Sequence, residues 1–174
     1  FIDCRFIQSS DIEGCSFRYA KLKDASFNNC MLAMSQFNGA DCVGIELRKC
    51  DLKGANFQSA NFANRVSNTV FFCIAYITGC NLAYTNFERA LIEKCDLFEN
   101  RWSGANLMGA SFKGSDLSRG EFSKEQWGSF NIEETDLTHV DLEGLDIRRV
   151  SLYGVKICDW QQEQLLAPFG LIVI

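Results

Sequence analysis

Large apolar residues recur at every fifth position through most of this chain. They fall at Phe17, Leu22, Phe27, Leu32, Phe37, Cys42, Leu47, Leu52, Phe57 and Phe62, and resume at Ile77 to continue through Phe112 and Leu117 to Leu152 and Ile157. Two places before each stands a small residue, as Ala105 stands before Leu107 and Ala110 before Phe112. A period of five matches neither the 3.6 of an amphipathic helix nor the 2.0 of an alternating strand. Within one pentad the small and large residues share a face of an extended segment. The next pair comes after an odd step, which reverses the face unless the backbone corners. The pattern predicts a solenoid that turns once per pentad and keeps two side chains inside at each step.

The inner pairs trade volume along the chain. Early ones set a tiny partner beside a large centre, as in Ala25/Phe27 and Ala55/Phe57; late ones are Val140/Leu142, Leu145/Ile147, Val150/Leu152 and Val155/Ile157. Near-constant summed volume is what a core of fixed cross-section demands. Asn100 and Glu125 fall at small-inward positions and break the rule, so irregularity is expected over residues 124–130. The register is interrupted twice. Phe6 and Phe17 are eleven apart, one residue out of step, so Ile7, Gln8, Ser9, Ser10, Asp11, Ile12, Glu13 and Gly14 leave the path as a short loop. In residues 63–76 the count stays a multiple of five, but Arg65 and Ser67 would lie inside. An unpaired buried Arg costs several kcal/mol, so the stretch reads as a loop of about ten extra residues between the pentads of Phe62 and Ile77. A shorter excursion rejoining at Val70/Phe72 is the alternative. Arg65, Val66, Val70, Phe71, Phe72 and Tyr76 make this loop apolar for a surface segment. It either folds back on the solenoid or binds a partner.

The repeat ends at Ile157, giving a solenoid over residues 1–158 and a separate segment over 159–174. Asp159 reads as an N-cap with Gln162 reaching back, opening a short helix through Leu165 and Leu166 that Pro168 and Gly170 terminate. Leu171 and Ile172 begin an apolar tail. The last coil of a solenoid exposes strand edges and core and needs a cover. Either this helix covers its own coil, or Trp160, Leu165, Leu166, Phe169, Leu171 and Ile172 join two copies end to end.

With its A-[DN]-[LF]-x-x rhythm, the chain resembles the pentapeptide-repeat family. That resemblance implies an all-β fold, a right-handed quadrilateral parallel β-helix with four pentads per coil, here with two loop excursions and a C-terminal α-helix. Coils about 4.8 Å apart would stack residues twenty apart, placing Phe17, Phe37 and Phe57 in one aromatic ladder. Asp96, Asp116 and Asp136 would form a column, and Glu121 and Asp141 a second pair. Such a column resembles a nucleic-acid backbone to any surface built to hold one; equally, Asp and Asn suit a turn-adjacent position by bonding local backbone.

Composition narrows the function. The 174 residues are 47% hydrophobic with a formal net charge of −5, one soluble domain's worth of chain. No apolar run is long enough to span a membrane. The chain opens mid-repeat at Phe1 without a Met, so preceding coils are expected. Cys4, Cys15, Cys30, Cys50, Cys80 and Cys95 occupy small-inward slots and Cys42 a large-inward one, which reads as core rather than metal ligation or disulfides. No cofactor is implied, and this many reduced thiols suits a cytoplasm. One His, with no nucleophile motif or phosphate loop around it, supports no enzyme. The negative charge argues against direct nucleic-acid binding.

The stretches CDLKGANF (50–57), FFCIAYITGCNLAYTNF (71–87), EKCDLFENRW (93–102), GSDLSRGEFS (114–123) and GVKICDWQQEQLL (154–166) resemble the Qnr quinolone-resistance proteins. That resemblance implies a cytoplasmic, dimeric, DNA-mimicking rod that binds DNA gyrase and topoisomerase IV and protects them from fluoroquinolones. It assigns the two loops to partner contact and the C-terminal segment to dimerisation. The other reading is an interaction or structural module of the wider family whose protein partner is not a topoisomerase.

Overall fold

In the computed structural model, which describes residues 1–7, 14–67 and 70–173, the backbone is a stack of parallel coils. Ser16 pairs with Gln36, Gln36 with Asn56, Asn86 with Asn106 and Ser111 with Asn131, each twenty residues on. Twenty residues is four pentads, so four pentads make each regular coil. A regular pentad contributes two bonds of the same kind between coils. Phe37 N–H donates to the Asn56 carbonyl of the next coil at 2.7 Å, and Gln36 N–H to the Cys15 carbonyl of the previous one at 3.0 Å. Three sides meet regular strand geometry for long enough to be named: β1 (Ser26–Asn28), β2 (Ile45–Arg48) and, after the second interruption, β5 (Ala75–Thr78), parallel in the order β1-β2-β5. β3 (Ala63–Arg65) and β4 (Phe71–Cys73) form an antiparallel pair apart from them.

The corner lies two residues after each large residue, where the backbone takes a positive φ. At Gly39 it is 64°, and the Ala40 N–H closes the turn on the Phe37 carbonyl at 3.0 Å. That is the type II arrangement, with the left-handed residue third. Fourteen non-glycine residues share the conformation, among them Tyr19, Lys49, Tyr84 and Glu99, so the repeat imposes it even where the side chain resists.

Inside, Phe17, Phe37, Phe57 and Phe87 stack with ring centroids 4.9, 4.5 and 4.6 Å apart, extending the expected ladder by one coil. Phe112 and Leu117 are fully buried. The smaller inner residues also carry hydrogen bonds. Cys50 Sγ accepts from the Cys30 N–H at 3.4 Å and donates to the Phe27 carbonyl at 3.4 Å, and Cys80 Sγ does the same for Cys50 N–H and Leu47 carbonyl. Asn100 continues this column: its Oδ1 accepts from Cys80 N–H at 2.8 Å and its Nδ2 donates to the Ile77 and Leu97 carbonyls. These side chains wedge into the turn of the coil beneath and replace its backbone bond. Asn100 is therefore a working member of the core and not a defect in it.

At the expected irregularity a 3₁₀ turn, Lys124–Gln126, swings Glu125 into solvent and brings Gln126 inside. Gln126 accepts from the Ser123 N–H and donates to the Trp102 and Ala105 carbonyls at 3.0 and 2.9 Å.

Candidate partner-binding surfaces

Both interruptions are insertions into an otherwise constant coil. Before the first, Ile2 pairs with Asn28 and Arg5 with Met31, twenty-six residues on. Six residues are thus added, where the pentad count showed a slip of one. Ile7 pairs antiparallel with Gly14 and closes the neck. Gln8, Ser9, Ser10, Asp11, Ile12 and Glu13 lie outside the described residues. Gly14 is pressed against the next coil, where a β-carbon would sit 2.3 Å from the Ala33 carbonyl oxygen.

The second insertion lengthens one coil to thirty residues, since Glu46 pairs with Tyr76 and Asp51 with Asn81. The chain leaves after buried Phe62 and returns at Ile74, whose N–H donates to the Phe62 carbonyl at 3.2 Å and whose carbonyl accepts from Gly44 N–H at 2.7 Å. Between them β3 and β4 make a hairpin in register Ala63↔Cys73, Asn64↔Phe72 and Arg65↔Phe71. Arg65 thus stands outside the core, its guanidinium 5.8 Å from the Phe71 ring centroid. Val66, Val70 and Phe72 are largely exposed, and Phe71 is half-buried. The Cys73 thiol donates to the Leu91 carbonyl, tying the base of the hairpin to the coil, and burial raises its pKa. Tyr76 corrects the expectation: it belongs to β5 and continues the coil, because Ala75 and Ile77 already fill the inner pair. The hairpin ends at Cys73.

The acidic column exists. Tyr76, Asp96, Asp116, Asp136 and Lys156 follow one another on one side. The residue type has a local cause, for Oδ1 accepts the N–H two residues on: Ser118 for Asp116 at 2.9 Å, Thr138 for Asp136 at 3.0 Å, Glu143 for Asp141 at 3.0 Å. Asn56, Asn86 and Asn131 do the same elsewhere. Turn chemistry thus selects Asp or Asn, and charge is an additional property of the Asp choices. The second pair is engaged separately. Glu121 faces Arg101 at 3.6 Å, while Asp141 accepts from Gln164 of the C-terminal helix at 2.9 Å.

At the C-terminal end, α1 spans Gln161–Leu166 and a 3₁₀ turn, Ala167–Phe169, carries Pro168 into left-handed Gly170. The cap differs from the expected Asp159/Gln162 pair. Gln161, fully buried, accepts from the Cys158 N–H at 2.6 Å and donates to the Leu137 and Val140 carbonyls at 2.8 and 2.7 Å. This repeats the Gln126 arrangement bond for bond. Leu165 is buried mostly against its own coil, with only an edge left at the apolar groove. Leu166 is half-buried, and Trp160, Phe169, Leu171 and Ile172 are exposed. Ile147, expected inside, is 37% exposed because the last coil is only partly covered. It shares an apolar groove of about 340 Å³ with Val150, Leu152, Leu165 and Leu166. Beside it the Arg148 guanidinium grips Asp146 through two 2.8 Å bonds and holds that carboxyl down at about 2.

Family profiles described as a pentapeptide repeat region and as pentapeptide repeats (8 copies) match residues 1–57 and 92–124. Pentapeptide repeat protein VPA0095 of Vibrio parahaemolyticus is 80% identical over 144 residues, 83% of this chain and 67% of that protein. QnrB4 of Escherichia coli is 45% identical over 109 residues, 63% of this chain and 51% of its own length, so the match spans about half of that relative. The solved structure of a trypsin-treated QnrB1 variant, described as a plasmid-mediated fluoroquinolone resistance protein, superposes with a TM-score of 0.95 at 47% identity, covering 100% of this chain and 81% of that one. The chain belongs to the pentapeptide-repeat family. Within it, it is a member of the Qnr quinolone-resistance group.

Proposed function

We propose that this chain is a non-enzymatic quinolone-protection protein, a right-handed four-sided rod that binds DNA gyrase and topoisomerase IV in the cytoplasm and lowers their sensitivity to fluoroquinolones. The observation that carries this reading is the superposition on QnrB1 over the whole chain, hairpin and C-terminal helix included. The surface chemistry supports it. Up to Arg65 the chain holds eight Lys and Arg against seven Asp and Glu; beyond it, nine against fifteen. The excess negative charge therefore lies past the hairpin, along the part of the rod that carries Asp96, Asp116 and Asp136. A stiff anionic surface steers a partner whose own site is built for DNA, through a field that acts before contact. Short-range discrimination falls to the hairpin, where Val66, Val70 and Phe72 project from a rigid base. Residues 1–158 act as the rod, and residues 159–174 join two copies through Trp160, Leu166, Phe169, Leu171 and Ile172.

Deleting residues 64–73, the ten that lengthen this coil, tests this. The flanking register is set by Phe62 and Ile74 and not by the hairpin, so the rod should stay folded by circular dichroism. Gyrase supercoiling in the presence of ciprofloxacin should be rescued by the intact chain and lost with the deletion. Rescue by the deleted form overturns the hairpin assignment; no rescue by the intact chain at any ratio overturns the topoisomerase reading.

A further inference from the structure

We infer that the notch at the foot of the hairpin binds a single carboxylate, and that the partner docks an acidic side chain there. This rests on the partner-binding reading of the hairpin and adds to it what the partner must present. The notch has a volume of about 400 Å³. Its floor is the buried pair Val43 and Ala63; Lys23 and Arg65 line it together with the bonded Asp41 and Asn61.

Neither cation has an ion-pair partner among the described residues. Past the hairpin, seven of the nine Lys and Arg are ion-paired: Arg89, Arg101, Lys113, Arg119, Lys124, Arg148 and Lys156. Up to Arg65, among the described residues, Arg48 alone of eight is paired. Lys23 and Arg65 thus come together at one concavity with no described carboxylate within ion-pair distance, in a chain that carries 22 acidic residues. Concave walls concentrate the field of the charges that line them. Arg65 is also oriented: β3 places it opposite Phe71, and that ring lies 5.8 Å from the guanidinium. A guanidinium resting on a ring keeps its N–H edge for a bidentate acceptor.

Charge count selects the ligand. Two cations against the Asp41 carboxylate leave a net charge of +1 at the notch. One carboxylate neutralises it, whereas a phosphate dianion overshoots and meets Asp41 as a like charge. Asp41 is held in place, its Oδ1 accepting from Asn61 Nδ2 at 3.2 Å, so it does not swing away. The notch is far larger than a carboxyl group, which suits a Glu or Asp side chain delivered with its backbone rather than a free small acid.

The test is an NMR titration of the full chain with a tetraglutamate peptide, with acetate and with inorganic phosphate at matched ionic strength. Expected are saturable shifts of the Val43, Ala63 and Arg65 amides with the peptide, at concentrations at least fivefold below those acetate or phosphate needs. Lys23→Gln with Arg65→Gln should weaken peptide binding at least fivefold, and Arg65→Lys should retain part of it. Asp41→Asn, which removes the like charge, should tighten it at least twofold and serves as the deciding variant if the double substitution disturbs folding. The inference is overturned by an absent peptide response, by one indifferent to these substitutions, by tighter phosphate binding, or by acetate binding as well as the peptide. No topoisomerase enters the titration, so its failure alongside intact gyrase protection leaves the functional reading standing.

Discussion

Gly14 and Gly109 show two different reasons for a glycine. Gly109 is a corner with φ at 69°, and a β-carbon placed there would come no closer than 3.3 Å to its neighbour Arg89. Fourteen non-glycine corners tolerate the same conformation, so Gly109→Ala should cost about 1–2 kcal/mol. Gly14 has no unusual φ, but any side chain there strikes backbone of the next coil, at 2.3 Å from Ala33 O and 2.4 Å from Ser35 N. Gly14→Ala should lower the melting temperature well beyond Gly109→Ala; equal effects would contradict the close approach. Cys42 supplies a prediction in pH. Burial first, and neighbouring Asp41 second, push its thiol from an ordinary 9.0 up to about 12. The folded chain keeps a proton that the unfolded chain releases. The stability from this group is complete below pH 9 and falls as pH rises from 9 towards 12, by up to about 1.4 kcal/mol per pH unit. In urea titrations between pH 9 and 11, Cys42→Ala should lose less stability than the wild type. Parallel losses would exclude the linkage.

Short polar inserts keep the coils in step where the five-residue rule lapses. At both ends of the last regular stretch a glutamine, Gln126 or Gln161, accepts from the N–H three residues before it and donates to two carbonyls of the coil beneath. Gln161→Leu would leave the Val140 carbonyl and the Cys158 N–H without this partner and the Leu137 carbonyl with the Val140 N–H alone, at about 3 kcal/mol of lost stability. Gln161→Glu should fare little better, since a carboxylate cannot donate. Urea unfolding measures both, and a loss below about 0.5 kcal/mol would show the cap to be replaceable by water. The hairpin is legible in the chain through Arg65, whose charge has no place in the core, but its end is not. Tyr76 is as apolar as Phe72, and which of them belongs to the coil depends on which residues stack over Glu46.

Along the entire rod, charge and apolar surface are segregated. Ion-paired cations and surplus carboxylates lie beyond the hairpin, and the apolar groove with the exposed tail lies at the C-terminal end. Ile172 is 88% and Leu171 55% exposed, at the same end as a groove of about 340 Å³ that nothing in the chain fills among the described residues. The proposed end-to-end pairing of two copies would cover both at once. The wild-type chain should sediment as a dimer, and Leu171→Asp with Ile172→Asp should sediment as a folded monomer, because neither side chain supports the coil. A wild type that stays monomeric at every concentration would refute the pairing. Leu165→Asp is a poor probe of the same question, since Leu165 holds α1 to its own core.

The spacing of Phe17, Phe37 and Phe57 was enough to establish the solenoid and its inner ladder, because a five-residue period leaves the backbone one way to keep two side chains dry. Arg65 and the eleven-residue gap after Phe6 were enough to locate both insertions. Their sizes, six and ten residues, depend on which coils pair, as does the removal of Tyr76 from the loop. Seating Leu165 inward while leaving Ile147 half-open is a matter of how a six-residue helix meets a coil twenty residues earlier in the path, and no local pattern encodes that angle. The notch between Lys23 and Arg65 is likewise a product of stacking: forty-two positions separate two cations that share one cavity. Periodicity reports what each residue must hide; contact between distant residues arises when the hidden faces close on one another.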